Sequence, residues 1–264
     1  IDVGGTFTDL VAIDDNGTVT LGKVPSTPED QSIGVMHGLA QVAASLELEL
    51  GPFLANTDRI VHGTTVATNA LLERKGAKVG LLTTEGHRDV LEMREGLKPE
   101  RYNLRLARPE ALVPRHLCLG VRERIRADGT IAQPLDESSL NKAIRVLRRE
   151  KVTSVAICYL HAYRDGRHEQ ATRDILAKAL PDVHVCLSSE VLPQIKEYER
   201  VSTTVVNAYV APILSRYLSR LEQALAASGY DGPVLIMLSH GGIAPIAEAI
   251  RMAAGTVLSG PAGG

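Results

Sequence analysis

Apolar and polar positions alternate through the opening of the chain. Ile1-Asp2-Val3 enters as a strand, and Thr6 to Ile13 alternates along a largely apolar run. Asp14-Asp15-Asn16-Gly17 then supplies a turn, and Thr18 to Val24 continues as the next strand. The period then changes. Thr27 reads as an N-cap and Pro28 as the first helical position, with Glu29 and Asp30 as acidic residues in the first turn. Ile33, Met36, His37 and Ala40 recur at near-helical spacing down to Leu46. A short strand over Arg59 to Val61, a helix over Thr64 to Arg74 and a strand over Lys78 to Thr83 complete the first pattern. This order predicts an α/β layered domain, and the opening hairpin makes its sheet mixed.

Glu85 to Pro114 is mostly irregular and highly charged. From Cys118 a second α/β unit is predicted: a strand over Leu119–Ile125, a turn at Ala127-Asp128-Gly129-Thr130 and a helix over Asp136–Glu150. A strand over Thr153–Leu160, a helix from His168 to Ala179 and a strand over Val183–Leu187 follow. A long helix from Glu197 to Ala227 comes next, and Pro212 is expected to kink it or split it. Gly232-Pro233 breaks the chain before the apolar strand Val234–Leu238. The expected organisation is a lobe over 1–115, an inserted subdomain over 116–190, and a long helix with a return into the core over 191–264. The chain stops inside the turn-like Ser259-Gly260-Pro261-Ala262-Gly263-Gly264, so it is expected to be part of something longer.

Composition removes several functional classes. With 29 basic and 31 acidic residues the net charge is −2, which leaves no strong field for nucleic acid or an anionic membrane. The cluster Arg145, Arg148, Arg149 and Lys151 reads as the solvated end of a helix. Trp is absent and Phe occurs twice, so base-stacking platforms are excluded. No apolar run is long enough to span a bilayer and no signal-peptide pattern opens the chain. Cys118, Cys158 and Cys186 lie far apart, the last two within apolar strands. They suggest neither zinc nor disulfides, and a reducing cytoplasm is expected.

The segment Asp2-Val3-Gly4-Gly5-Thr6-Phe7-Thr8-Asp9 carries the most chemistry. Gly4 and Gly5 let backbone N–H groups approach a phosphate with no side chain in the way. Thr6 and Thr8 add hydroxyl donors, and Asp2 stands at a strand end where it can hold Mg²⁺. His62, Thr64, Thr65 and Asn69 surround a second strand-to-helix turn, where capping and ligand contact are both open readings. Arg88, Asp89, Glu92 and Arg94 read as a surface ion-pair face, with a substrate clamp or general base as the alternative. Arg200, Ser202, Thr203, Thr204 and Asn207 form a polar stretch of the long helix that is either cleft-lining or solvated. Gly241-Gly242 reads as a turn. A nucleophile elbow and a metal-ligating His pair are both missing from the sequence.

The opening segment resembles the first phosphate-binding hairpin of the actin, heat-shock chaperone and sugar-kinase superfamily. As a full string it is similar to the hydantoinase A/5-oxoprolinase family, which includes the β-subunits of acetone-type carboxylases. Further matches follow in order: His62 to Ala70, Gly86 to Glu92, Glu199 to Val210, His240-Gly241-Gly242 and Ser259 to Gly264. The resemblance implies a mixed α/β, ribonuclease-H-like (actin-like ATPase) lobe with an inserted α/β subdomain, taken from a two-lobed ATPase. It further implies ATP and Mg²⁺ as cofactors, with phosphoryl activation of a hydantoin or lactam carbonyl so that water opens the ring. Asp2 would hold the metal, and Gly4, Gly5, Thr6, Thr8 and Asp9 would meet the phosphates. Asp2, Thr6 and His62 are the catalytic candidates, with Thr64, Thr65 and Asn69 as cleft contacts. A hydantoinase B-type partner subunit or domain is implied. The second phosphate loop and the adenosine site would lie downstream, so this stretch alone is expected to bind nucleotide poorly and not to turn over. The alternatives are an acetone-type carboxylase subunit and a non-catalytic scaffold.

Overall fold

The computed structural model describes residues 1–96, 100, 102–107 and 110–260. Pro261 to Gly264 of the terminal motif lie outside the described residues, as do residues 97–99, 101 and 108–109 of the charged stretch.

β1 (Asp2–Val3), β2 (Phe7–Ile13) and β3 (Val19–Pro25) form an antiparallel meander in which Phe7 faces Pro25 and Ile13 faces Val19. Burial follows the period of two. Val3, Thr8, Leu10 and Gly22 turn inward, while Phe7, Val11, Ile13, Val19 and Leu21 stay exposed. α1 (Gln31–Ser45) packs on the inner face. It starts three residues later than the sequence suggests. Asp30 is the N-cap, with its carboxylate accepting from Ser32 N at 3.1 Å and Ser32 Oγ at 2.5 Å. Thr27 instead braces the approach, donating to the Asp30 carbonyl at 2.5 Å and accepting from Gly34 N at 3.0 Å. α2 (Leu50–Ala55), β4 (Ile60–Thr64) and α3 (Val66–Leu72) follow.

The chain then enters a different sheet. β5 (Val79–Thr84) is buried along its whole length. It is followed by α4 (Val90–Met93), β6 (Cys118–Val121), β7 (Arg124–Ile125), β8 (Ile131–Gln133), α5 (Glu137–Arg149), β9 (Ser154–Cys158), α6 (Arg167–Ala179), β10 (His184–Leu187) and α7 (Ser188–Val191). The sheet order is β10-β9-β5-β6, wholly parallel, with β7 and β8 as a separate hairpin. The sequence places the 78–83 strand in the first lobe. It is instead a central strand of the second sheet, because a strand buried on both faces is a continuous apolar run that does not announce its neighbours.

α8 (Glu197–Ala227) is one helix with Pro212 inside it, and is not split there. Losing one backbone bond costs about 3 kcal/mol. Buried Val201, Val205 and Ala208 before Pro212, and Leu214, Leu218 and Leu221 after it, offset that loss. β11 (Val234–Met237), β12 (Ile243–Pro245) and α9 (Ile246–Arg251) complete the order.

Two compact units result, Ile1–Lys75 with Ile213–Gly264, and Gly76–Pro212. These limits differ from 115/116 and 190/191, since β5 and the first half of α8 group with the second sheet. The first unit holds a mixed six-stranded sheet ordered β12-β11-β4-β1-β2-β3, parallel only across β11, β4 and β1. In the second unit the polar stretch of α8 is internal. Arg200 is buried and donates to the carbonyls of Gln194 and Tyr159 at 3.0 and 3.2 Å, and Asn207 Nδ2 meets Cys186 Sγ at 3.2 Å. Arg115 bonds Asp89 at 2.6 Å on the surface, in keeping with an ion-pair face.

Gly38 of α1 lies against the sheet so closely that a Cβ would stand 2.3 Å from Leu10 Cδ1. Overpacking costs about 1–3 kcal/mol, against about 1 kcal/mol gained from alanine's helix propensity. Gly38→Ala is therefore expected to lower the denaturation midpoint at unchanged slope. A raised midpoint would show that Leu10 yields freely.

Candidate functional site

Ligands of open α/β sheets bind beyond the carboxyl ends of the strands. The three parallel strands of the first unit set that edge. β1 runs into Gly4-Gly5-Thr6, β4 into Thr65 and α3, and β11 into the turn Leu238 to Gly242. The pairing of Asp2 with Gly63, and of Val3 with Thr64, fixes the first two ends side by side.

The β1–β2 connection is a two-residue hairpin closed by Gly4 N donating to Phe7 O at 2.9 Å. Neither Gly4 nor Gly5 takes a positive φ. Their value is closeness. A Cβ on Gly4 would sit 3.1 Å from Phe7 O, whereas Gly5 has nothing within 4 Å of its Cβ position. Ser26, which the sequence reading passed over, holds the loop from behind. It donates from Oγ to Gly4 O at 2.8 Å and from N to Thr6 O at 2.9 Å. Its role shows only in the register that sets Pro25 opposite Phe7, which places Ser26 beside Thr6. With those carbonyls occupied, the N–H groups of Gly5 and Thr6 meet no acceptor among the described residues. Thr6 is exposed.

Across the sheet Gly63, Asp2, Asp9 and Lys23 stand in one row. Lys23 Nζ neutralises Asp9 at 2.8 Å, an exposed pair. Asp2 is exposed and makes no hydrogen bond or salt bridge among the described residues. The space beside it is kept by glycines. A Cβ on Gly63 or Gly260 would stand 3.2 or 3.4 Å from Asp2 Oδ1.

Other candidates serve as braces. Thr8 is fully buried, its hydroxyl 3.1 Å from Ser26 Oγ, so it supports the loop and does not face a ligand. Thr64 is buried too, and its Oγ1 accepts from Val66 N at 3.2 Å as a cap. Its carbonyl accepts from Ser259 Oγ at 3.2 Å, which ties the start of the terminal motif to this edge. Thr65 Oγ1 donates to Val3 O at 3.0 Å and accepts from Asn69 Nδ2 at 3.3 Å, stapling β1 to α3. Gly241, at φ 84°, makes the β11–β12 turn with N donating to Leu238 O at 2.9 Å.

His62 is placed differently from its expected role as a catalytic residue. It is fully buried, and its Nε2 lies 2.7 Å from Tyr217 Oη. Burial holds the imidazole neutral, with its pKa lowered to about 3. Nδ1 is buried without a hydrogen-bond partner. A buried histidine that stays uncharged near pH 7 is poorly placed for general acid–base work.

The sign of that shift can be tested. The unfolded imidazole takes up a proton near pH 6.5, while the folded one resists it until about pH 3. The unfolded state therefore binds more protons in between, and stability is lost as pH falls through that window. His62→Gln is expected to flatten the decline of thermal stability between pH 6.5 and 4. An equally steep decline would show that His62 titrates freely.

Comparison with known proteins gives the lineage. Residues 1–180 match the family model described as the hydantoinase/oxoprolinase N-terminal region, and residues 200–264 match that described as hydantoinase/oxoprolinase. The caprolactamase subunit alpha of Pseudomonas jessenii is 44% identical over 99% of this chain. The 5-oxoprolinase of Dictyostelium discoideum is 30% identical over the whole of it. The crystal structure of the ATP-dependent caprolactamase from Pseudomonas jessenii superposes with a TM-score of 0.90 over 98% of the chain at 44% identity. A nucleotide-free acetone carboxylase structure gives 0.89 over the whole chain at 31% identity. The chain spans 38% of the caprolactamase subunit and of both solved chains, and 23% of the 5-oxoprolinase. This mixed α/β chain belongs to the hydantoinase/oxoprolinase family.

Proposed function

We propose that this chain forms part of an enzyme that uses ATP to open a cyclic amide of the lactam, hydantoin or 5-oxoproline type. The observation that carries the reading is the edge formed by Asp2, Gly5 and Thr6: an unpaired carboxylate beside two free backbone N–H groups and glycine-walled space. Such a cradle fits a nucleotide phosphate with its metal. Among the described residues no three His, Cys, Asp or Glu side chains gather to bind a metal. Mg²⁺ fits this site as a cation held by one carboxylate, with phosphate oxygens and water completing its coordination.

When bound, Mg²⁺ and ATP would supply a transferable phosphoryl group that, placed on the amide oxygen, activates the carbonyl carbon toward water so that the C–N bond of the ring can break. The chain's own part is positional and electrostatic. The N–H groups of Gly5 and Thr6 point at developing negative charge, and Asp2 orients the metal. Ser26, Thr8 and Thr65 keep that geometry rigid, so little reorganisation accompanies reaction. Asp9, already neutralised by Lys23, shapes the local field without needing to touch the phosphates.

A second reading, ATP-dependent carboxylation of a ketone, draws on the acetone carboxylase beta subunit of Xanthobacter autotrophicus, 32% identical over the whole chain. The lactam reading is preferred because the 44% identical relative is a caprolactamase. Several relatives are subunits by name, which supports a partner subunit, and we take that partner to be of hydantoinase B type. Three buried, free cysteines suit a reducing cytoplasm. Among the described residues no helix is long and apolar enough to cross a membrane.

ATP hydrolysis by the full-length protein with its partner, driven by caprolactam, 5-oxoproline or hydantoin, is the direct assay. Asp2→Asn is expected to lower kcat by about 10²–10³-fold, the usual loss for one transition-state electrostatic contact. Turnover only with ketone and bicarbonate would move the protein to the carboxylases. The absence of any nucleotide binding would support a scaffold role.

A further inference from the structure

The second unit holds a feature that the reading above does not use. Around β7 burial alternates, with Glu123 and Ile125 inside and Arg124 and Arg126 outside. The inward side is firmly held. Glu123 accepts from Thr84 Oγ1 and meets His168 Nδ1 at 2.8 Å, and the Thr84 hydroxyl itself accepts from Leu160 N at 2.9 Å. This buried network fixes the strand, and with it the direction in which Arg124 and Arg126 leave it.

Those two arginines, the turn residues Ala127 and Asp128, and His161 line an open depression of about 420 Å³. Arg164 lies against the same turn, with its Cγ 3.5 Å from the Cβ position of Gly129. Among the described residues none of the three arginines makes a salt bridge with a carboxylate, though Arg126 helps to hold the Asp128 carboxyl low. Arg124 Nη1 meets only His87 Nε2, at 3.3 Å. Asp128 spends its Oδ1 within the turn, accepting from Thr130 N at 2.9 Å and Thr130 Oγ1 at 2.7 Å. The excess charge is positive.

His161 adds an independent sign. Its backbone is left-handed at φ 58°, although it is not glycine. Such a conformation costs of order 1 kcal/mol and persists where surrounding structure imposes it. Here Arg164 N donates to the His161 carbonyl at 2.8 Å. Tyr163 Oη lies 3.4 Å from His161 Nδ1, and the Arg200 guanidinium sits 5.3 Å from the Tyr163 ring centre. The imidazole is thus held at the depression, with Nε2 left without a protein partner.

We propose that this depression binds a phosphate group. Two guanidiniums from one strand face and an imidazole offer the forked donors that phosphate oxygens accept. Arg164 adds charge at the rim.

Calorimetric titration of the full-length protein with inorganic phosphate at constant ionic strength tests this, with ADP titrated in parallel. Saturable binding is expected, weakened at least about tenfold in the double variant Arg124→Gln, Arg126→Gln. The control Lys178→Gln, an exposed basic residue near the end of α6, is expected to bind as wild type. Tighter binding of ADP in the same arginine-dependent manner would identify a nucleotide as the source. Equal binding would identify free phosphate. Phosphate affinity unchanged by the double variant, or no saturable binding by the wild type, would overturn the proposal. Arg124 is half-buried and Arg126 exposed, and unchanged thermal unfolding of the variant would separate lost binding from lost folding.

Discussion

The parallel pairing of β1 with β4 is the constraint on which the first unit depends. Asp2 opposite Gly63 and Val3 opposite Thr64 join segments 61 residues apart in sequence. Loop closure over that distance costs entropy that only burial can offset. Val3, Leu10, Val35, Leu39 and Val42 provide it where α1 lies on the meander, and Ile60, Ala67 and Ala70 provide it around β4. Once the pair is in register, the Gly4–Thr6 hairpin and the Thr64–Thr65 turn must emerge at the same edge. A slip of one residue would send Asp2 to the buried face and Val3 to the exposed one.

Residues at that edge divide into those that are open and those that support them. Asp2, Gly5 and Thr6 are exposed, and each offers a group without a partner among the described residues. Thr8, Ser26, Thr64, Thr65 and Asn69 spend their hydrogen bonds on one another or on the backbone. This follows from the cost of leaving buried polar groups unpaired. Threonines next to a glycine loop are so often read as ligand contacts because their chemistry suits both tasks. Burial separates the two. His62 shows the same logic at its limit, since an imidazole fully removed from water stays uncharged and has one side-chain hydrogen-bond partner, Tyr217.

Much of the fold was legible because the patterns were local. The alternation over 6–13 and 18–24 marked β2 and β3 to within a residue or so, and the helix over 197–227 matched α8. Non-local facts were harder. Nothing in the apolar run at 78–83 says that its neighbours are β6 and β9 and not β4, because sheet partners are chosen in three dimensions. α2, α4, β8, α7, β12 and α9 were missed, being short and weakly patterned. At the site, Asp2 and the two glycines were readable from residue type and order. The burial of Thr8 and His62 was not, because both stand in strands whose inward face depends on register. Ser26 was hidden for a related reason, as its role arises only when β3 is laid beside β2.

The central claim is that the Asp2 edge is where a metal-bound nucleotide sits. Crystals of the full-length protein grown with Mn²⁺ and a non-hydrolysable ATP analogue test it through the anomalous scattering of manganese. The account expects a manganese peak at the Asp2 carboxylate, with phosphate density against the Gly5 and Thr6 N–H groups. A manganese–nucleotide complex bound elsewhere, with Asp2 free of any ligand, would contradict it.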